Sequence, residues 1–241
     1  MIYLKNKHKK NTLVFYNELF KKYGYDPRSL GWGSSEGKQA VQFEVLCQIG
    51  HISNCSVLDV GCGFGDLYAY IKYRGDKVDY YGVDINPEII ETGKKQYPKI
   101  KLEVRDIEEK KFKRKFDWVL FSGISSAGST YSYIERMLKE MFRICKKGVA
   151  INFVGGVLDY KVKELFYSDP EKIYTITKKI SNRVVIRHDY APYQFVLYMY
   201  KNQKITQNKV FEEFRKESKI KLDDTLFHPK YKKHKAVRTT S

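Results

Sequence analysis

Residues 56–67 read SVLDVGCGFGDL. Val57, Leu58 and Val60 form the short apolar run expected of a strand buried on both faces. Glycines then fall at every second position, Gly61, Gly63 and Gly65, and a helical pattern opens at Asp66. Such a bend lets bare backbone turn tightly and approach a ligand that side chains would keep away. A helix that begins at the end of a central strand marks the ligand crevice of a doubly wound sheet.

The surrounding pattern agrees. From residue 56 to 148, apolar strand-like runs alternate with helical spacing, which yields a parallel sheet with helices on both faces. Strands are expected at residues 57–60, 80–84, 101–104, 116–121, 149–154, 183–187 and 194–200. Helices are expected from Asn11 to Gly24, from Ser34 or Ser35 to Gly50, and from Asp66 to Gly75. Others should open at Pro87 and Pro170, run from Ser129 or Thr130 to Lys146, Lys147 and Gly148, and lie near residues 210–214. The first helix, with its stripe of Leu13, Tyr16, Leu19, Phe20 and Tyr23, reads equally as a lid or as core packing. The expected organisation is residues 1–50 as N-terminal helices packed on the core, residues 51–220 as the main domain, and residues 221–241 as a basic tail.

The chain has 241 residues, of which 42% are hydrophobic and 15% aromatic, so one domain with a full core is expected. Cys47, Cys55, Cys62 and Cys145 show no CxxC pair and no metal-ligand spacing, which reads as reduced thiols of a cytoplasmic protein. No stretch is apolar enough for a membrane span and no secretory signal is recognisable. The net charge of +17 favours anionic partners. Lysines are scattered along the chain, however, so charge alone does not select nucleic acid over a small anion.

The glycines are preceded by an acid, giving Asp59-x-Gly61-x-Gly63-x-Gly65, and a second strand ends in Tyr80-Tyr81-Gly82-Val83-Asp84. This pair of motifs resembles the class I S-adenosylmethionine (SAM) methyltransferases. The resemblance implies a three-layer, doubly wound α/β fold: a seven-stranded sheet, mostly parallel with an antiparallel last strand. It implies SAM as cofactor and S-adenosylhomocysteine (SAH) as product. Asp59, Gly61, Cys62, Gly63 and Gly65 would form the loop around the amino-acid arm. Asp84 would take the ribose hydroxyls, with Ile85 and Asn86 beside it; Asp106 would take the adenine amino group and Ile107 would pack on the ring. Ser122 would border the cofactor and Gly123 the acceptor. In the segment before the first strand, Trp32, Gly33, Ser34 and Gln39 would touch cofactor or acceptor, although Trp32 reads equally as a packing anchor. The sequence departs from the Asn/Asp-Pro-Pro-Tyr motif of base-amine methylating enzymes, having Ser122-Gly123-Ile124-Ser125 there instead.

A candidate acceptor site lies where the sixth strand ends, at Arg187-His188-Asp189-Tyr190-Ala191-Pro192-Tyr193. His188 could take a proton near neutral pH with Asp189 orienting it and Tyr190 beside them, while Arg187 and Tyr193 bind the acceptor. The alternative there is a hairpin with aromatic packing and a surface ion pair. The chain also looks similar to small methyltransferases of bacterial capsule and surface-polysaccharide gene clusters. That implies O-methylation of a small, polar, anionic acceptor such as a sugar, a nucleotide-linked group or a phosphoramidate. An RNA methyltransferase using the basic surface stays open as the alternative, as does a SAM-binding protein without catalysis.

Overall fold

Seven strands form one sheet in the order β3-β2-β1-β4-β5-β7-β6. They are β1 (Cys55–Val60), β2 (Val78–Asp84), β3 (Lys101–Val104), β4 (Phe116–Ser122), β5 (Cys145–Val154), β6 (Val184–Arg187) and β7 (Gln194–Tyr200). Strands β1 to β5 pair in parallel, and β7 runs antiparallel to both β5 and β6. The sheet expected from the sequence is the one found. The helices are α1 (Lys7–Tyr23), α2 (Lys38–Cys47), α3 (Asp66–Tyr73), α4 (Pro87–Gln96), α5 (Tyr131–Ile144), α6 (Pro170–Lys178) and α7 (Glu212–Ser218), with a 3-10 turn at Pro27–Leu30. The structure, a computed structural model, describes residues 7–32, 37–124, 129–155, 161, 165–207 and 209–218. The chain divides into two compact units, Met1–Asn202, which holds the sheet, and Gln203–Ser241, which holds α7.

Strand alternation builds two cores, one on each face of the sheet. Leu58, Val60, Val119 and Phe121 point to the face covered by α5, where Ile134, Leu138 and Met141 are fully buried. Val57, Trp118 and Leu120 point to the other face, against Leu46 of α2 and Leu67 and Ile71 of α3. The central position of β1, between β2 and β4, explains why its sequence is apolar on both faces.

Helix starts follow capping chemistry. The Asn86 side chain accepts from the N–H groups of Glu88 and Ile89, with Pro87 at the first helical position of α4. Thr130 caps α5 through the Tyr133 N–H, and Asp169 caps α6 through the Glu171 N–H. At α2 the cap is Gly37, with no side-chain hydrogen bond, and the expected caps Ser34 and Ser35 lie outside the described residues.

Several boundaries differ from the sequence reading. Helix α1 begins at Lys7, four residues earlier than expected, although its first turn is basic. Helix α5 ends at Ile144, and Lys146, Lys147 and Gly148 belong to β5. Gly148 is there for clearance: a Cβ would sit 2.6 Å from the Met199 carbonyl oxygen and 3.0 Å from the Trp118 ring. In the second unit, α7 starts at Glu212, because the Val210 carbonyl is engaged by the Thr206 N–H in a turn.

Candidate active site

After β1 the chain builds outward through β2 and β3, then returns to place β4 on the other side of β1. The connections therefore separate at the carboxyl ends of β1 and β4, which opens a crevice there. A cavity lies in it. Strand β1 contributes Asp59 and the loop after it Gly61, Cys62 and Gly63; β2 and its loop Asp84, Ile85 and Asn86; β3's loop Asp106 and Ile107; and β4's end Ser122, Gly123 and Ile124. Trp32, Gln39 and Phe43 complete one wall. At about 4.8 Å per strand, the carboxylate beyond β3 and the serine ending β4 are roughly 14 Å apart along the sheet edge. Of the residues expected to hold a cofactor, Gly65 alone is outside this wall; it caps α3 with φ of 93°.

The glycine loop takes its shape from left-handed backbone. Gly61 has φ of 64° and Gly63 φ of 56°. A Cβ on Gly61 would come 2.8 Å from the Phe121 ring, and one on Gly63 2.7 Å from Leu30. Glycine is thus required for conformation at both positions, and a side chain would also have to displace the Phe121 ring or the end of Leu30. Cys62 is buried between them, and burial pushes its thiol well above the ordinary range, with the charges of Asp59 and Asp84 adding to the effect. All four cysteines are free and buried.

Two carboxylates flank the loop. Asp84 accepts from the Gly63 N–H at 3.1 Å and from the Asn86 N–H at 2.9 Å. Burial raises its pKa, and these backbone donors hold it down in part. Asp59 is 2% exposed. Its Oδ2 accepts from the Tyr80 hydroxyl at 2.6 Å, while its Oδ1 has no partner. Burial pushes Asp59 up to about 7, opposed by the Tyr80 hydrogen bond and helped by the charges of Asp84 and Asp66. A buried carboxylate oxygen without a donor carries a desolvation cost that a ligand N–H or ammonium would relieve. Two other lining atoms, Gln39 Nε2 and Ser122 Oγ, are likewise buried without a partner.

Helix α1 closes the cavity from above with Lys9, Thr12, Leu13 and Tyr16. Lys9 is 5% exposed and forms ion pairs with Asp106 and, at 2.7 Å, with Glu108. Asn17 accepts from the Asn86 side chain at 2.6 Å. Tyr16 is pushed up to about 12 by burial and by the charge of Asp84. The sequence reading left α1 between lid and core helix and did not single out Lys9, Tyr16, Phe43, Phe121, Tyr133 or Met137 as lining the cavity. The recurring apolar stripe of α1 was the signal for Tyr16; a lone lysine in a chain rich in lysine gave none for Lys9.

The residues at the end of β6 are placed elsewhere. Strand β6 runs parallel to β5, so Arg187 does end on the crevice edge of the sheet, but β6 is the outermost strand, four steps and roughly 19 Å from β1. The expected His188–Asp189 pair does not form. Asp189 instead accepts from Arg187 at 3.1 and 3.0 Å, Arg187 also donates to Gln48 at 2.6 Å, and His188 Nε2 lies 3.1 Å from the Pro192 carbonyl oxygen. Tyr190 packs on the core beneath α2, and Tyr193 is 46% exposed. None of the five is among the described residues that line the cavity. Of the expected acceptor residues, Trp32 and Gly123 line it, and Ser34 lies outside the described residues.

Comparison with known proteins bears on this arrangement. Residues 57–148 match the family model described as a methyltransferase domain. A protein of Mycobacterium tuberculosis, Rv1506c, named provisionally as a methyltransferase, is 28% identical over 151 residues, spanning 59% of this chain and 90% of that protein. One from invertebrate iridescent virus 6, 235L, named in the same provisional way, is 29% identical over 98 residues, 39% of this chain and 37% of that protein. Among solved structures, the magnesium protoporphyrin IX methyltransferase of Synechocystis with bound SAM superposes with a TM-score of 0.59 at 14% identity, covering 83% of this chain and 99% of that one. The PH0226 protein of Pyrococcus horikoshii gives 0.56 at 16% identity over 75% of this chain and 98% of that one. The strand order and these likenesses establish the class I methyltransferase fold, and its centre, residues 57–148, is the part that resembles a methyltransferase domain.

Proposed function

We propose that this protein is a SAM-dependent methyltransferase that methylates a hydroxyl of a small polar acceptor. The observation that carries the reading is the loop of Gly61 and Gly63 set between Asp59, which keeps one buried oxygen unpartnered, and Asp84 at the end of the next strand. The residues fit the cofactor: carboxylates stand at the ends of β1 and β2 and beyond β3, and the apolar Ile85 and Ile107 lie beside the latter two.

When bound, SAM supplies a methyl carbon already activated by its sulfonium, so the chemistry is a single substitution. Asp84 accepts hydrogen bonds from the ribose hydroxyls, and Asp106 accepts one from the adenine amino group. Ile85 and Ile107 cover the ring. The free oxygen of Asp59 takes a donor from the amino-acid arm. Gln39 and Ser122 present their unpartnered polar atoms to the acceptor end and orient the incoming hydroxyl, while Trp32, Phe43 and Phe121 exclude water. No lining residue is assigned as a general base.

The acceptor in this proposal is a sugar or nucleotide-linked sugar. The cations among the described lining residues, Lys9 and Arg105, are already ion-paired, Arg105 with Glu103 at 3.0 Å, which supports an acceptor without strong negative charge at its reacting end. Labelled-methyl transfer from SAM into nucleotide-sugar and sugar-phosphate pools, resolved by chromatography, tests this. Label in an acceptor with a free hydroxyl supports the proposal, and SAM binding without transfer to any pool contradicts it. The net charge of +17 favours a second reading, an RNA acceptor. It requires RNA affinity that falls steeply with salt and label recovered in RNA.

A further inference from the structure

Lys9 sits inside the cavity, nearly inaccessible to water, although it comes from a helix 97 residues away in sequence from its partner. Its ammonium pairs with the carboxylate of Asp106. The other oxygen of that carboxylate accepts from the Glu108 N–H at 2.9 Å. Glu108 offers Lys9 a second carboxylate at 2.7 Å and is itself fastened to Arg136 of α5 at 2.9 Å. The lysine therefore has two carboxylates within reach, one inside the cavity and one beside it.

The geometry points to Lys9 as an internal occupant of the nucleobase end of the pocket, a competitor that must cede Asp106 to an incoming 6-aminopurine. This rests on the assignment of Asp106 to the adenine amino group. Ammonium and purine amine are both donors, and both seek the same buried oxygens. Ceding is possible because Glu108 can retain the ammonium, while the Asp106 carboxylate keeps the Glu108 N–H and gains the purine amine as donors. Because Lys9 is part of α1, which also carries Tyr16 and the Asn17 contact to Asn86, the exchange at Asp106 is coupled to how firmly α1 covers the cavity. A lysine here also biases the choice of base. An ammonium repels a purine amine but donates readily to a purine carbonyl, so Lys9 narrows the preference for adenine over hypoxanthine.

The test compares wild type, Lys9→Met and the control Lys139→Met, which breaks the exposed Lys139–Glu135 pair on α5 and leaves Glu108 and α1 alone. Titration with SAH and with S-inosylhomocysteine, whose base carries a carbonyl in place of the amine, is followed by calorimetry. Circular dichroism melting checks each variant for folding. Lys9→Met is expected to bind SAH more tightly and the inosyl analogue more weakly, raising the preference for the amine by about tenfold, while Lys139→Met leaves the ratio as in wild type. An unchanged ratio in a folded Lys9→Met protein overturns the proposal, since a merely structural ion pair shifts both ligands alike. SAH binding by Lys9→Met with none by wild type supports it in its strongest form. Absence of binding to both ligands by both proteins overturns the cofactor assignment, and this inference with it.

Discussion

The backbone N–H of Gly63 donates to the Asp84 carboxylate at 3.1 Å, across 21 positions of sequence. The acid that ends β2 thereby holds the bend that follows β1, while its other oxygen holds the start of α4 through the Asn86 N–H. Under the proposed function, loop shape and ribose recognition therefore share one residue. The residue that would read the sugar also fixes the turn on which the rest of the nucleoside lies.

Gly93, in the middle of α4, faces the outside of that same turn. A Cβ there would fall 2.3 Å from the Phe64 carbonyl oxygen and 2.9 Å from Leu102. The nearest obstacle is backbone, which cannot rotate away. Gly93→Ala is therefore expected to destabilise the protein by about 2 kcal/mol or more, despite the better helix propensity of alanine. Gly24→Ala, where nothing lies within 4 Å of the added carbon, should cost only its positive-φ strain, about 1 kcal/mol. Urea unfolding of the two variants measures the difference.

Asp59 gives the protein a pH signature. Its folded-state value of about 7 lies above the ordinary value for aspartate. Its contribution therefore favours the folded state fully below about pH 4 and is lost as pH rises through about 7, where the buried group must ionise. A donor bound to its free oxygen favours the ionised form. SAH binding near pH 6.5 is thus expected to release a proton, and affinity should rise by up to about tenfold from pH 6 to 8. Calorimetry in two buffers of different ionisation enthalpy counts the proton, and Asp59→Asn should abolish most of that release. Proton uptake, or none, in the wild type would contradict the role given to Asp59.

His188 provides a negative test. It lies at the outermost strand, away from the described cavity wall, and its neighbour Asp189 is engaged by Arg187. His188→Asn is expected to leave the turnover rate within about twofold of wild type. Single-turnover methyl transfer is the measurement, and a loss of tenfold or more would return the histidine to the site.

These two positions show what the sequence disclosed and what it withheld. Asp59, the alternating glycines and Asp84 are local signals: short spacings on one strand and one bend, which secondary structure converts directly into geometry. The parallel sheet follows from the same alternation of patterns, and so does the side of the sheet on which the loops emerge. The same logic puts His188 on the edge of the sheet where the loops emerge, but it says nothing of the four strand steps that separate β6 from β1, because strand order across the sheet is not a local property. Lys9 was invisible for a related reason. Its role depends on a pairing with Asp106 and Glu108 that only the packing of α1 creates, and one lysine among many in the sequence carries no periodicity to mark it. Gly148 misled in the opposite direction, resembling a helix stop when its task is to clear Met199 and Trp118 inside β5.

A conservative change in the opening pair probes the central claim most directly. Asp84→Asn keeps size and one acceptor oxygen, enough to hold the Gly63 N–H though not the Asn86 N–H as well, and it removes the charge that strengthens hydrogen bonds from two sugar hydroxyls. Calorimetric titration of wild type and Asp84→Asn with SAH is the measurement. The account predicts one site per chain in the wild type and an affinity at least about thirtyfold weaker in the folded variant. Equal affinity in the two proteins, or no binding by a folded wild type, would contradict it.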